Sequence, residues 1–466
     1  MSTPGPRFGP RMRPADAVLW TIEHDPVLRS TIVGVALLDG TPEWKDVVER
    51  IDRLTRLVWP LRQKAVSPPL RSGPPRWVTD PDFDLSFHLR RVRLPEPEGL
   101  DGVLRLAGQL ASAAFDRSRP LWETVLVEGL EGDRSALVMK LHHSLTDGVG
   151  AIELYAHLVD PLDGSEPGPV PDPPVTTGEP RELFESALAD LGSDLAHVAA
   201  KVPGWASGVA QHAMADPSGA VAEARKAASS IVKLLKPAPT PLSPAMRTRG
   251  LARELRAFEV SLRQLRDAAH AHGGTVNDAY LAAIAGGVAR YHADLGVSSE
   301  RLRVTMPINL RRAGDEAGGN RFSPARFAVP LDVADPVARM ARMGEIARSW
   351  RAEPALAYTD VLAASLDRLP VPVTTALFGG MLKGTDLVAT NVPGAPVPVS
   401  LCGVPVARQW AFAPPSGAAL SVALLSHTGT ACIGMAIDPA AVPDADHLTA
   451  SMVEGFAEIA ALAPVG

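Results

Sequence analysis

The segment Val138-Met139-Lys140-Leu141-His142-His143-Ser144-Leu145-Thr146-Asp147-Gly148-Val149-Gly150 joins two kinds of pattern. The apolar run from Ala136 to Leu141 is typical of a buried strand, and the spacing from Gly148 to Val159 is typical of a helix. Two adjacent histidines therefore stand where a strand ends, and an Asp-Gly pair precedes the helix. The segment predicts a mixed α and β fold with titratable side chains at a strand end.

The two histidines are expected to have different roles. Adjacent strand residues point to opposite faces, so His142 and His143 cannot easily bind one metal or act together as bases. We expect His143 to face a cavity and His142 to hydrogen-bond within the protein. A histidine can take a proton from a hydroxyl and return it to a leaving group, as acyl transfer from a thioester to an alcohol requires.

The Asp-Gly pair is the second half of this pattern. Asp147 can fold back to hold the loop or to fix the tautomer of the histidine, and Gly148 lets the backbone turn without a side-chain clash. Taken alone, two histidines near an Asp-Gly pair are more often hydrogen-bonded core and turn residues than parts of a functional site. The residue chemistry by itself therefore favours a structural interpretation.

Composition sets limits on the class of protein. The chain has 466 residues, which predicts two or three domains, with 46% hydrophobic and 21% charged residues, as in an ordinary globular protein. Its net charge of -6 gives no whole-chain reason to expect nucleic-acid binding. We expect a protein with a large packed core, in which local basic patches remain possible.

Cysteine content and apolar segments indicate the compartment. Cys402 and Cys432 are too few for a disulfide framework or a four-cysteine zinc site, which favours a reducing cytoplasm. Residues Met1 to Pro14 contain four prolines and no apolar core of a secretion signal. The apolar stretch Ala418–Ile437 is interrupted at Ser426 to Thr430, which favours two strands and a turn. Any membrane contact is expected to be peripheral.

Patterning along the chain predicts three regions. Residues 1–160 form a mixed α/β unit, 161–250 a Pro-rich linker with Ala-rich helices, and 251–466 a second mixed unit. Strands are predicted at Thr31–Leu38 and Glu254–Val260, and a long apolar helix at Val276–His292. The chain shows no short-period repeat, although two similar α/β halves remain compatible with it.

The histidine segment matches a known motif. His142-His143-Ser144-Leu145-Thr146-Asp147-Gly148 resembles the HHxxxDG motif of bacterial wax ester synthase/diacylglycerol acyltransferases. Further blocks resemble that family in the same order along the chain: Pro14-Ala15-Asp16-Ala17, Phe83-Asp84-Leu85-Ser86-Phe87-His88, Pro120-Leu121-Trp122-Glu123, Thr275-Val276-Asn277-Asp278, Pro307-Ile308-Asn309-Leu310-Arg311 and Thr390-Asn391-Val392-Pro393-Gly394. An ordered series of blocks is far more specific than one motif.

The resemblance implies a fold and a reaction. The family is similar to chloramphenicol acetyltransferase, which implies an α/β fold with mixed sheets in two related halves and a central tunnel. Acyl-CoA is implied as co-substrate, its thioester near His143, with diacylglycerol or a long-chain alcohol entering from the other side. His143 would be the general base in a direct transfer without metal, further cofactor or covalent acyl-enzyme, in the cytoplasm or peripherally on a membrane or lipid droplet.

Two more residues are candidates within this resemblance. Asn277 is a candidate donor to the oxyanion that forms when a hydroxyl attacks the thioester. It is an equally good candidate for the N-cap of the helix that follows. Arg311 is a candidate partner for Asp147, in a supporting rather than a catalytic role.

Two other functions stay open on the sequence. One is a noncatalytic lipid-binding or lipid-droplet surface protein that retains the fold, against which the intact His143 and Asp147 argue. The other is a condensation-type enzyme that uses carrier-bound acyl groups. The chain also departs from the family at Arg29-Ser30-Thr31-Ile32, which lacks the usual Met-His pair, and at Ala395, where proline is common.

Overall fold

The structure is a computed structural model of the chain. It describes residues 10–146, 148–161, 168, 170, 172–190, 193, 237–238, 240–309, 322–351, 353, 366 and 369–464. Most of the Ala-rich stretch predicted as helices lies outside the described residues, apart from a helical stretch at 180–190.

Strands and helices alternate along the described chain, as predicted. The strands are β1 Thr31–Leu38, β2 Gln63–Val66, β3 Arg76–Thr79, β4 Leu89–Glu98, β5 Trp122–Leu130, β6 Ser135–His142, β7 Glu254–Ser261, β8 Arg301–Asn309, β9 Phe322–Pro330, β10 Leu387–Val392, β11 Ser400–Leu401, β12 Val404–Phe412, β13 Leu420–His427 and β14 Thr430–Ile437. The α-helices are Pro14–Ile22, Trp44–Leu57, Leu85–His88, Leu100–Ser112, Gly148–Leu158, Leu262–Ala271, Val276–Asp294, Pro336–Arg351, Val371–Leu382 and Ala445–Ala460. Short 3₁₀ helices lie at Pro26–Leu28, Trp59–Arg62, Pro69–Arg71 and Glu131–Asp133.

The first sheet has six strands in the order β11-β12-β1-β6-β5-β4. All neighbours are antiparallel except the parallel pair β4 and β5. Every residue of β6 is buried, which explains its mostly apolar sequence, because both faces of the strand are covered. Its register with β1 pairs Thr31 with His142 and so fixes where the histidine segment begins.

The first sheet includes two strands from the C-terminal region of the chain. β11 and β12 come from the C-terminal region, yet β12 pairs with β1 in the first sheet. Val399, Leu401 and Val406 accordingly pack in the core of the N-terminal half. The local sequence does not indicate which sheet β12 joins, because its pattern is that of an ordinary strand in either sheet.

The second sheet has six strands in the order β7-β14-β13-β10-β8-β9. The pairs of β10 with β13 and with β8 are parallel, and the others are antiparallel. Four helices cover one face and share a core with it: Leu262–Ala271, Val276–Asp294, Pro336–Arg351 and Ala445–Ala460. The other face of this sheet is left for contact with the first half.

A third core joins the halves beside this face. It combines Val35 and Val138 of the first sheet, Leu104 of the helix Leu100–Ser112, and Leu255 and Cys432 of the second sheet. The two sheets are therefore held together by shared apolar packing as well as by the exchanged strands. Within the described residues, no helix is both long and apolar enough to cross a membrane.

Candidate active site

A cavity of about 150 Å³ lies between the two sheets. The first sheet contributes the same-face residues of β1 and β6, namely Ile32, Gly34, Ala36, Leu137, Met139 and Leu141, and the second contributes Thr390, Val392, Ala423 and Leu425. Leu154 and Tyr155 of the helix after the histidine segment close one side. Its walls are almost entirely apolar, and His143 is among them. Such a space suits hydrocarbon chains brought to a single basic side chain.

His143 follows directly on the end of β6. Its backbone N–H donates to the carbonyl oxygen of Ser30 at 2.8 Å, which extends the pairing of β6 with β1 by one residue. The side chain is half-buried on the cavity wall. The strand pairing thus fixes the position from which His143 faces the cavity.

His142 has the opposite surroundings. The side chain is fully buried, packed edge-on against the rings of Trp20 and Phe115. The Ser144 backbone N–H donates to its Nδ1 at 3.0 Å, so the ring proton of the neutral form belongs on Nε2. That Nε2 lies 3.0 Å from Oε1 of Glu23. The ring therefore has protein partners on both nitrogens.

Glu23 links the two histidines through the backbone. Its carboxylate accepts from the N–H of Ser30, the residue whose carbonyl binds His143. Burial by itself would raise the pKa of Glu23, but His142, the Ser30 N–H and Arg117 together hold that pKa below its ordinary value. A charged Glu23 thus braces the start of β1 against the histidine segment. Sequence reasoning missed this residue because nothing near it in the chain indicates a partner in β6.

Three of the predicted site residues lie outside the described residues or next to them. Asp147 and Arg311 lie outside the described residues, so their predicted pairing stays a prediction. Gly148 begins the helix Gly148–Leu158, at the boundary that the sequence predicts.

Asn277 is not the helix N-cap that was one of its two predicted roles. Thr275 caps the helix Val276–Asp294, and Thr275 and Asp278 form a reciprocal capping box. Asn277 instead accepts a hydrogen bond at 2.6 Å on Oδ1 from Nδ2 of Asn391 in β10. Thr390 and Val392 line the cavity, whereas Asn391 between them points to the other face. Asn277 is not among the described residues of the cavity wall.

Two polar side chains of the wall were not singled out from the sequence. Tyr155 fits the apolar spacing of its helix, which gives no sign of a functional role, yet its buried hydroxyl has no hydrogen-bond partner among the described residues. Burial raises the pKa of Tyr155, so the hydroxyl stays protonated and able to donate. Nε2 of Gln409, in β12, lies 2.9 Å from Nδ1 of the buried His427. It was missed because β12 was not expected in the first sheet.

Family models match most of the chain. The wax ester synthase/diacylglycerol acyltransferase catalytic domain matches residues 12–280, and the C-terminal domain of the same family matches residues 318–460. A Mycobacterium tuberculosis H37Rv protein provisionally named diacylglycerol O-acyltransferase is 37% identical over 459 residues, which cover 98% of this chain and 93% of that protein. A Mycobacterium bovis protein of the same provisional name is 28% identical over 435 residues, covering 89% and 87%.

Solved structures agree on the architecture. The wax ester synthase/diacylglycerol acyltransferase from Marinobacter aquaeolei VT8 matches with a TM-score of 0.62 at 21% identity, covering 96% of this chain and 98% of that one. The first condensation domain of the calcium-dependent antibiotic synthetase matches with a TM-score of 0.60 at 16% identity, covering 97% and 96%. These likenesses show the chloramphenicol acetyltransferase-like fold and confirm the predicted fold class.

Proposed function

The chain belongs to the wax ester synthase/diacylglycerol acyltransferase family, and from this premise we propose that it moves a long-chain acyl group from a CoA thioester to a hydroxyl. The acceptor is diacylglycerol, which gives triacylglycerol, or a long-chain alcohol, which gives a wax ester. The observation that carries the proposal is the position of His143 on the wall of a mostly apolar cavity between the two sheets.

The proposed chemistry needs one base. His143 takes the proton of the acceptor hydroxyl as its oxygen attacks the thioester carbonyl, which gives a tetrahedral oxyanion. The intermediate collapses with loss of the CoA thiolate, and the proton on His143 passes to that sulfur. No covalent acyl-enzyme and no metal enter this scheme. The apolar walls favour the alkyl chains of both substrates and strengthen electrostatic interactions at the reacting atoms.

The oxyanion requires a hydrogen-bond donor. Asn277 was the candidate from the sequence, but its contact with Asn391 and its position off the cavity wall favour a role in holding the end of β10. Tyr155 is the better candidate, since its protonated hydroxyl is buried, lines the same cavity as His143, and has no partner among the described residues. Burying a hydroxyl without a partner costs free energy. A substrate oxygen that accepts a hydrogen bond from the hydroxyl offsets this cost.

His142, Asp147 and Gly148 are proposed to support the base rather than to contact substrate. The buried ring of His142 bound to Ser144 and Glu23 supports this role for His142. Gly148 starts the helix that carries Tyr155. For Asp147 the proposal rests on the family motif, with Arg311 as its partner.

A transfer assay tests the proposal and the acceptor. Purified protein is incubated with radiolabelled palmitoyl-CoA and either dioleoylglycerol or hexadecanol, and the products are separated by thin-layer chromatography. We expect labelled triacylglycerol or wax ester together with free CoA. No ester with either acceptor would contradict the proposal and favour a noncatalytic lipid-binding protein, and ester formed only from an acyl carrier protein would favour a condensation-type enzyme.

We also expect a peripheral position on a membrane or lipid droplet. Diacylglycerol and long-chain alcohols partition into lipid phases, so the acceptor reaches the cavity from such a surface. Co-flotation of the protein with dioleoylglycerol-containing vesicles is the expected result, and recovery of all protein in the lipid-free fractions would contradict it.

A further inference from the structure

Gly34 occupies an unusual place for a glycine. It lies inside β1, an interior strand paired on both sides, with Met139 of β6 on one side and Ala411 of β12 on the other. Glycine weakens a strand because it packs no side chain and loses more conformational freedom than other residues on folding. Its backbone does not require glycine, since its φ is not among the positive values of the chain.

The space above Gly34 is open. A Cβ atom built there would have no heavy atom within 4 Å outside its chain neighbours. Gly34 lies on the wall of the cavity that His143 also lines, on the same face as Ile32 and Ala36. The absence of a side chain therefore leaves room inside the proposed substrate cavity.

The pairing of β1 with β6 sets the distance between the open space at Gly34 and His143. Gly34 pairs with Met139 and Ser30 lies opposite His143, so Gly34 lies four residues along the chain from the residue opposite the base. At about 3.4 Å per residue this separation is about 14 Å. A chain whose reacting carbon lies at His143 would pass Gly34 about eleven carbons away, at about 1.25 Å per methylene.

We propose that Gly34 is a specificity-determining residue that keeps the cavity open for the distal part of a long alkyl chain of the substrate. The inference rests on the proposed function, in which such chains reach His143. The occupant is a hydrocarbon chain, which requires apolar walls and open space and makes no polar contact. The chain can belong to the acyl donor or to the alcohol acceptor, and the test below separates these sources.

The variants are Gly34→Ala and Gly34→Val, with Gly380→Val as the matched control. Gly380 also has open space around its Cβ position and no positive φ, but it lies in the helix Val371–Leu382 and off the cavity wall. Because valine favours strands and a Cβ atom at Gly34 has no heavy atom within 4 Å, we expect a melting temperature equal to or above that of the parent. A marked fall in melting temperature would show that the space is not open and would overturn the proposal.

Activity is measured in two series. In the first, acyl-CoA length varies from six to sixteen carbons with hexadecanol fixed, and in the second, alcohol length varies with palmitoyl-CoA fixed. For Gly34→Val we expect kcat/KM of the sixteen-carbon substrate relative to the six-carbon one to fall about tenfold or more in one series, and less for Gly34→Ala. The affected series identifies the chain that passes Gly34. Unchanged profiles in both series would overturn the proposal.

Binding separates this inference from the proposed reaction. Affinity for cis-parinaric acid, a fluorescent eighteen-carbon chain, is measured on the same proteins without turnover. We expect weaker binding by about tenfold in Gly34→Val and parent affinity in Gly380→Val. Parent protein that binds the probe but makes no ester would contradict the proposed function alone, whereas equal binding by parent and Gly34→Val would contradict the role of Gly34.

Discussion

His142 and His143 are adjacent in the chain, but their side chains lie in different surroundings. One ring is buried between Trp20, Phe115 and Glu23, and the other lies on the wall of an apolar cavity. The alternation of side chains along a strand made the separation predictable from the sequence. The bracing contact of Glu23 was not predictable, because it depends on how the turn before β1 meets the end of β6.

Glu23→Gln is expected to destabilise the protein at neutral pH. The folded-state pKa of Glu23 is lowered, so the stability that its charge contributes is present above its ordinary value of 4.5 and is lost as pH falls through the folded-state pKa. The free energy of unfolding, measured by urea denaturation between pH 7 and pH 3, should therefore differ most between parent and variant at neutral pH.

The control for this variant is Glu49→Gln. Glu49 is an exposed residue paired with Lys45, and surface pairs of this kind contribute little. We expect that variant to follow the parent at every pH. A difference between Glu23→Gln and parent that stays constant down to pH 3 would show that the charge of Glu23 is not what stabilises the segment.

Tyr155→Phe is expected to slow transfer without loss of stability. The hydroxyl has no hydrogen bond among the described residues to lose, and removal of an unsatisfied buried group is neutral or stabilising. If the hydroxyl donates to the oxyanion, kcat should fall about 100-fold. Thermal unfolding and steady-state kinetics measure the two effects. A lower melting temperature with unchanged kcat would assign the hydroxyl a structural role instead.

At the scale of elements, periodicity predicted β1 at Thr31–Leu38 and the start of the helix Val276–Asp294 correctly. Capping chemistry was harder, because Thr275 and Asn277 are both good N-cap residues and only the backbone decides which one lies outside the helix. The place of β12 was not predictable. Its partner β1 is far away in sequence, and alternation along a strand does not identify the neighbouring strand.

The helices Val276–Asp294 and Ala445–Ala460 are held together at two glycines. A Cβ on Gly455 would lie 2.6 Å from the backbone nitrogen of Gly287 and closer still to the carbonyl oxygen of Ala283. Neither backbone atom can move without shifting a helix. The close approach brings apolar side chains of both helices, such as Tyr280 and Phe456, into one core.

Gly455→Ala is accordingly expected to destabilise the protein by about 1–3 kcal/mol, as overpacking does. Gly380→Ala is the matched helical control, since its Cβ meets nothing within 4 Å. That control should be neutral or more stable by up to about 1 kcal/mol through helix propensity. Urea unfolding compares the two, and equal stability of both variants would contradict the close crossing.

At the scale of the whole molecule, the two sheets form a single structure around the cavity. Strands β11 and β12 cross from the C-terminal region into the first sheet, and a shared apolar core joins both sheets beside the cavity. The family resemblance predicted two halves with a space between them. The sequence could not indicate which side chains line that space, because the wall is assembled from five strands and a helix that are scattered along the chain.

The most direct test of the account is single-turnover acyl transfer by His143→Ala. The general base is the one role on which the proposed reaction depends, so the rate constant should fall by about 10²–10⁴, with the melting temperature and palmitoyl-CoA binding kept. His270→Ala, at an exposed histidine outside the cavity, should react like the parent. A His143→Ala protein that is folded, binds palmitoyl-CoA and forms ester at the parent rate would contradict the central claim.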